Sequence, residues 1–304
     1  MMDLSSLRAV LVAGKGGVGK TTVTAGLARA AAAAGKRVLA AEVSYEIDSP
    51  TPLADVFGVP HASEDPIAIG PNLSIALLTP HAGHLHFLRD ALPMRVLADA
   101  AMKSAAIRRF LLAAPSLAEM GVLYRILDLL RKRRYDGSFE HDLLIVDLPA
   151  TGHALGLAQV PSAILKVVTR GPIHDAVLEG LRLLTDPKQT GTLLVTLPET
   201  LPVSEAIELA RGIGAHKIPL AGVIVNRVPN DPFTVEERVA LNGMHIDNAT
   251  MLGARSLPRI DRAKESIARL KKELGHPPIT LPEVLDETQL EAMMSDAFGI
   301  GRSK

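Results

Sequence analysis

The chain has 304 residues, 47% hydrophobic but only 3% aromatic, and its 33 basic residues balance 33 acidic ones. That length can bury the core of one large α/β domain with an inserted piece, or of two small domains, and the neutral balance gives no global attraction to DNA or to an acidic membrane. Cysteine is absent, which excludes disulfides, thiolate zinc sites, iron–sulfur ligation and thiol capture of metalloids.

Taken in chain order, the opening MMDLSSLRAVLVAG has no basic n-region and its apolar run breaks at glycine, so it does not read as a signal peptide. RAVLVA (8–13), RVLAAEV (37–43), LSIALL (73–78), DLLIVD (142–147), TLLVTL (192–197) and LAGVIVN (220–226) read as strands buried on both faces, with ITLPE (279–283) a weaker seventh. Helical patterns such as TVTAGLARAAAAAG (22–35) lie between them. This alternation predicts an α/β fold with a mostly parallel, doubly wound sheet. Residues 80–136 carry no convincing strand and read as an inserted helical subdomain of a single domain covering 1–304. RKRR (131–134) is a nucleic-acid patch or a solvated helix end, and the neutral balance favours the second. Residues 228–256 are polar and irregular, and RAKESIARLKKEL (262–274) is an amphipathic helix. No stretch approaches the roughly 18 uninterrupted apolar residues of a transmembrane helix. The expectation is a cytoplasmic protein without direct membrane insertion or nucleic-acid binding.

GKGGVGKTT (14–22) carries the chemistry. Gly14, then four residues, then Gly19-Lys20-Thr21 is a P-loop pattern that follows a predicted strand and opens a predicted helix. Gly14, Gly16, Gly17, Val18 and Gly19 would turn backbone N–H groups toward phosphates, helped by the positive end of the helix dipole. Lys20 would reach the β- and γ-phosphates of ATP, Thr21 would ligate Mg2+, and Thr22 would donate to the α-phosphate. Asp147 ends the strand DLLIVD, where a carboxylate would hold a Mg2+-bound water.

Lys15 makes the loop more specific. KGGVGKTT resembles the deviant Walker A loop of the MinD/ParA/ArsA/nitrogenase-iron-protein class of P-loop ATPases, in which the early lysine crosses a dimer interface to the partner's nucleotide. Asp147-Leu-Pro-Ala-Thr-Gly152-His153 is similar to the switch II segment of the ArsA family, the arsenite-pump and tail-anchored-protein targeting ATPases. Further similar segments are Ala114-Pro115-Ser116-Leu117-Ala118-Glu119, LPETLPVSEA (197–206), VIVNR (223–227) and HPPITLPEV (276–284). The resemblance implies Asn226 at the adenine edge, Pro282 in the loop beside the base, ATP and Mg2+ as cofactors, and a nucleotide-switched ATPase. It implies a homodimer, or a heterodimer with a related ATPase, that binds a hydrophobic protein client or energises a membrane-protein partner. A MinD/ParA-like regulatory ATPase and a low-activity heterodimer subunit are the alternatives.

Two departures stand out. The family's switch I normally carries Asp-Pro-Ala-His after the second strand, but here the stretch is EVSYEIDSPTPLADVFG (42–58). Asp48 is the first candidate for the carboxylate that positions water and Glu42 the second; with neither, hydrolysis would be slow. The absence of cysteine removes metalloid sensing and the zinc clasp between subunits, so a dimer would rest on nucleotide and apolar contacts. A hydrophobic client would meet Leu85, Phe87, Leu88, Leu92, Met94, Leu97, Met102, Phe110, Leu111, Leu112, Met120 and Leu123, unless these form the subdomain's own core.

Overall fold

Pleating sorts the buried strand residues into two cores. In a computed structural model, which describes residues 4–45, 51–91, 94–106, 117–150, 152–243, 256–283 and 286–300, β1 (Ala9–Gly14) is buried along its whole length. Its Ala9, Leu11 and Ala13 face one cluster and Val10 and Val12 the other, as a period of two requires. The first face is covered by α5 (Leu117–Arg131), α7 (Pro172–Thr185), α8 (Thr200–Ala215) and α10 (Ser256–Leu274). The second is covered by α1 (Lys20–Ala33), α2 (Pro52–Phe57) and α11 (Glu287–Phe298). α6 (Gly152–Val167) adds Leu157 to the first core, and α3 (Pro80–Ala91), α4 (Arg95–Lys103) and α9 (Val235–Gly243) complete the described α-helices.

Among the described residues the strands form one eight-stranded sheet in the order β3-β4-β2-β5-β1-β6-β7-β8. The remaining strands are β2 (Val38–Val43), β3 (Ile67–Gly70), β4 (Leu73–Leu78), β5 (Leu143–Asp147), β6 (Thr190–Thr196), β7 (Leu220–Val228) and β8 (Ile279–Pro282). All pairs are parallel except β3 with β4. The seven expected runs are all strands, and the sheet is the doubly wound α/β arrangement expected. Parallel pairing brings the carboxyl ends of β1, β2 and β5 to one edge, with Val12 and Glu42 each in register with Asp147.

Three elements differ from the expectation. β3 is a short edge strand whose side chains are half-buried or exposed, so it lacks an apolar run. Its signal is the Gly-Pro-Asn turn, where Asn72 adopts φ 60° and closes the hairpin. α9 lies within the stretch read as irregular. α10 starts at Ser256, before the apolar periodicity becomes visible, with Pro258 in its first turn, where a missing N–H costs nothing.

The 80–136 stretch divides physically. α3 packs on α5 and α4 packs on α3, whereas α5 lays Val122, Leu123, Ile126 and Leu127 into the same core as the sheet. Arg125, fully buried, ties α5 to the segment before β3 by donating to the Glu64 carbonyl (2.6 Å), and it donates to the Asp128 carboxylate of its own helix (2.5 Å). α3 and α5 meet backbone to backbone at Gly83 and Gly121. A Cβ on Gly83 would lie 1.7 Å from the Gly121 carbonyl oxygen, a contact that only helix displacement relieves. Gly83→Ala is therefore expected to destabilise the fold by about 1–3 kcal/mol, read as a lower Tm. Gly70→Ala, where an added Cβ meets nothing within 4 Å, should leave Tm unchanged; equal melting of both variants would contradict this packing.

Candidate nucleotide site

The loop after β1 is shaped by what presses on it. Gly14 sits at φ 153°, and a Cβ there would meet the Val195 carbonyl oxygen of β6 at 2.3 Å. Gly19, at φ 92°, is the N-cap of α1, and a Cβ there would meet Asn226 Nδ2 at 2.2 Å. Both positions therefore need glycine on two grounds, left-handed backbone and close approach. Val18 between them is buried, while Lys15, Gly16 and Gly17 are exposed at the tip. The result is a strand, a glycine loop and the N-terminus of a 14-residue helix, whose N–H groups and dipole suit an anion.

Side chains from distant segments close on this loop. Thr21 Oγ1 donates to Asp147 Oδ2 at 2.6 Å, bridging the start of α1 to the end of β5. Asp147 is 5% exposed, and its Oδ1 is buried with no hydrogen-bond partner among the described residues. A buried acceptor left open beside a threonine hydroxyl is the donor set that Mg2+ and its water would complete, Thr21 directly and Asp147 through water. Lys20 Nζ donates to the Lys15 carbonyl at 3.0 Å, and burial lowers its pKa while Asp147 pulls it back up. Thr22, Asn226, Arg227, Pro282 and Asp286 line a cleft of ≈ 170 Å3 beside the loop. Three residues expected at the nucleotide, from α1, β7 and β8, thus share one wall. Asn226 is buried; its Nδ2 donates to the Val18 carbonyl (2.9 Å) and its Oδ1 accepts from the Arg227 N–H (2.9 Å). Its amide thereby braces the glycine loop.

The other expected residues separate. Glu42 lies at the end of β2, and its Oε2 accepts from the Leu53 N–H at 2.9 Å. It thereby pins the first turn of α2. Asp48 lies outside the described residues, as do Pro115 and Ser116; of the side chain of His153 the structure describes nothing. Lys15 Nζ forms a salt bridge with Glu205 of α8 in its own chain and remains half exposed. Sequence reasoning missed two residues. Glu205 sits in the LPETLPVSEA segment but its pairing is long-range. Arg227 holds φ 55° next to Asn226, a left-handed non-glycine conformation of the kind that collects at functional sites; only coordinates reveal it.

Burial pushes the carboxyl of Asp147 up to about 6, against the Thr21 bond and Lys20, which favour its charge. It pushes Glu42 up to about 7, opposed by the Leu53 N–H and reinforced by the charges of Asp147 and Asp55. Both folded values exceed those of an unfolded chain near 4. Folding therefore takes up protons in this window, and stability of the nucleotide-free protein falls as pH rises from about 4 to about 7. Asp147→Asn keeps an acceptor for Thr21 and removes the charge. It is expected to raise stability at pH 8 by on the order of 2 kcal/mol, flatten the dependence of Tm on pH, and abolish Mg2+-dependent ATP turnover. A variant that melts lower than wild type at pH 8 would contradict the burial cost.

Comparison with known proteins agrees with this geometry. Residues 7–181, more than half of the chain, match the anion-transporting ATPase family. The chain is 31% identical over 229 residues to ATPase BagA of Mycobacterium tuberculosis, covering 74% of this chain and 66% of that protein. It thus spans just under two thirds of that relative's length. It is 27% identical over 225 residues to the arsenical pump-driving ATPase of Escherichia coli, 71% of this chain and 34% of that one. With ATPase get3 of Botryotinia fuckeliana it shares 24% identity over 264 residues, 75% of this chain and 74% of the relative. The matched span runs from the strand that feeds the glycine loop, past Asp147, into α7, and the chain belongs to the ArsA family of anion-transporting P-loop ATPases.

Proposed function

We propose that this chain binds and hydrolyses ATP with Mg2+ and works as a nucleotide-switched dimer that couples turnover to a protein client or a membrane-protein partner. The observation that carries the reading is the Thr21–Asp147 pair with its open Oδ1, set beside the glycine loop. Mg2+ bound there would neutralise phosphate charge and hold the triphosphate in one geometry. The residues of the chain supply the rest. Backbone N–H groups of residues 16–21 bind the phosphates. Lys20 exchanges the Lys15 carbonyl for a phosphate oxygen, gaining a charge-assisted bond in place of a neutral one. Asp48 is the candidate for orienting the attacking water, since Glu42 is already engaged by Leu53 and acts by holding α2 in place.

Lys15 is assigned to the partner's nucleotide. Its salt bridge to Glu205 is a resting position that dimer closure exchanges for phosphate; an exposed ion pair of this kind contributes at most about 1 kcal/mol, so release is cheap. The helical stretch supports client binding only in part. Met94 and Leu97, with Val96, are exposed at 59%, 50% and 69%, whereas Met102 and Leu123 are buried and Phe87 packs edge-on against Tyr124. Leu92, Phe110, Leu111 and Leu112 lie outside the described residues.

ATPase rate per mole of chain, measured against protein concentration, tests the assembly. The rate is expected to rise with concentration, and Lys15→Ala to lower the plateau by about 10³-fold, the lower end of what a cation supplied in trans contributes. Glu205→Ala, which frees Lys15, should leave the plateau intact and shift its onset to lower concentration. A rate independent of concentration and indifferent to Lys15→Ala would overturn the trans assignment.

A further inference from the structure

We propose that the amino-terminal edge of the sheet, opposite the nucleotide loop, carries a second ligand site for a small organic molecule bearing two or more oxyanion charges. A cleft of ≈ 520 Å3 opens there between the residue preceding β1, the end of α5 and the outer side of α7. This volume lies within the range of about 300–1,000 Å3 of small-molecule sites. Its floor is apolar, made by the buried Leu127, Leu130 and Leu183, and four guanidiniums line it: Arg8, Arg131, Arg133 and Arg182. One carboxylate opposes them. Glu179 of α7 is taken up in a two-point pair with Arg131, leaving Arg8, Arg133 and Arg182 without a carboxylate of the lining.

The positions of these groups favour an anion over solvent. The guanidinium carbons of Arg8 and Arg133 lie 3.4 Å and 4.1 Å from the centre of the Phe139 ring. Contact with the ring holds each head group in place; Arg133 Nη1 donates to the Gly137 carbonyl at 2.8 Å, and its other N–H groups remain for the carboxylate or phosphate oxygens that a guanidinium edge recognises. Arg8 uses one nitrogen on the Leu130 carbonyl at 2.9 Å, while its Nε is buried with no partner among the described residues. Burial holds the Arg8 guanidinium below its usual range. Asp142, itself bonded to Arg37, pulls it up, and the Arg133 and Arg37 charges push it further down. The Arg182 guanidinium has no hydrogen-bond or ion-pair partner among the described residues, and the residue is exposed at the rim. The RKRR run is therefore not simply a solvated helix end: two of its arginines, Arg131 and Arg133, belong to this cleft. The apolar floor and the volume exceed what an inorganic ion would fill, which favours an organic phosphate or a polycarboxylate.

Citrate and fructose 1,6-bisphosphate, titrated separately into the full chain by calorimetry, test the site, and their relative affinities decide between carboxylate and phosphate. Three variants accompany wild type: Arg182→Ala and Arg133→Ala at this cleft, and Lys20→Ala at the opposite edge, each checked for an unchanged far-ultraviolet spectrum. Loss of one charge-assisted contact should weaken binding of the preferred anion about tenfold in Arg182→Ala. Arg133→Ala should weaken it similarly, and Lys20→Ala should leave it unchanged. Absence of binding by both anions, binding indifferent to both arginine substitutions, or binding lost in Lys20→Ala would each overturn the assignment.

Discussion

The hydrogen bond from Thr21 to Asp147 is the contact on which the site depends. It joins the first turn of α1 to the last residue of β5, and so fixes the helix that follows the glycine loop against the neighbouring strand. The bond is made by a carboxylate that the fold has taken out of water. Desolvation disfavours its charge, and one hydroxyl and a nearby lysine offset that only in part. A stability-optimised core would not place an acid there. Its second oxygen, buried without a partner among the described residues, fits the ligand position proposed above, at a cost in stability.

The loop itself is held from the other side. β6 presses on Gly14 through the Val195 carbonyl, and Asn226 of β7 presses on Gly19 while gripping the Val18 carbonyl. The phosphate-binding segment is thus clamped between α1, β5, β6 and β7 before any nucleotide arrives, which reduces the ordering cost of binding. Lys15 is the exception. It stands exposed at the tip of a braced loop, paired with Glu205 among the described residues, and it can move without disturbing the clamp beneath it.

Much of this was legible in the residues because the signals are local. Buried parallel strands are apolar runs, and the glycine loop declares itself between a strand and a helix. Asp147 was readable because it ends such a run at the carboxyl edge. What escaped depends on partners far away in sequence. β3 is an edge strand without an apolar run of its own, and the bond from the Leu53 N–H to Glu42 has no local signature. Asn226 was placed at the nucleotide from its segment, but its grip on Val18 spans 208 residues and has no sequence signature. The left-handed backbone at Arg227 and the pairing of Lys15 with Glu205 are likewise products of tertiary packing.

We propose above all that Asp147 is a buried, only partly compensated carboxylate that Mg2+ would complete. Carbon-13 NMR of the aspartate side-chain carboxyls, with Asp147→Asn to assign the resonance, reads its titration directly. In the nucleotide-free protein it should titrate near 6, and on addition of Mg2+ and ADP the midpoint should fall below the ordinary carboxylate range as positive charge arrives. A midpoint near 4, the same with and without Mg2+ and nucleotide, would contradict the account.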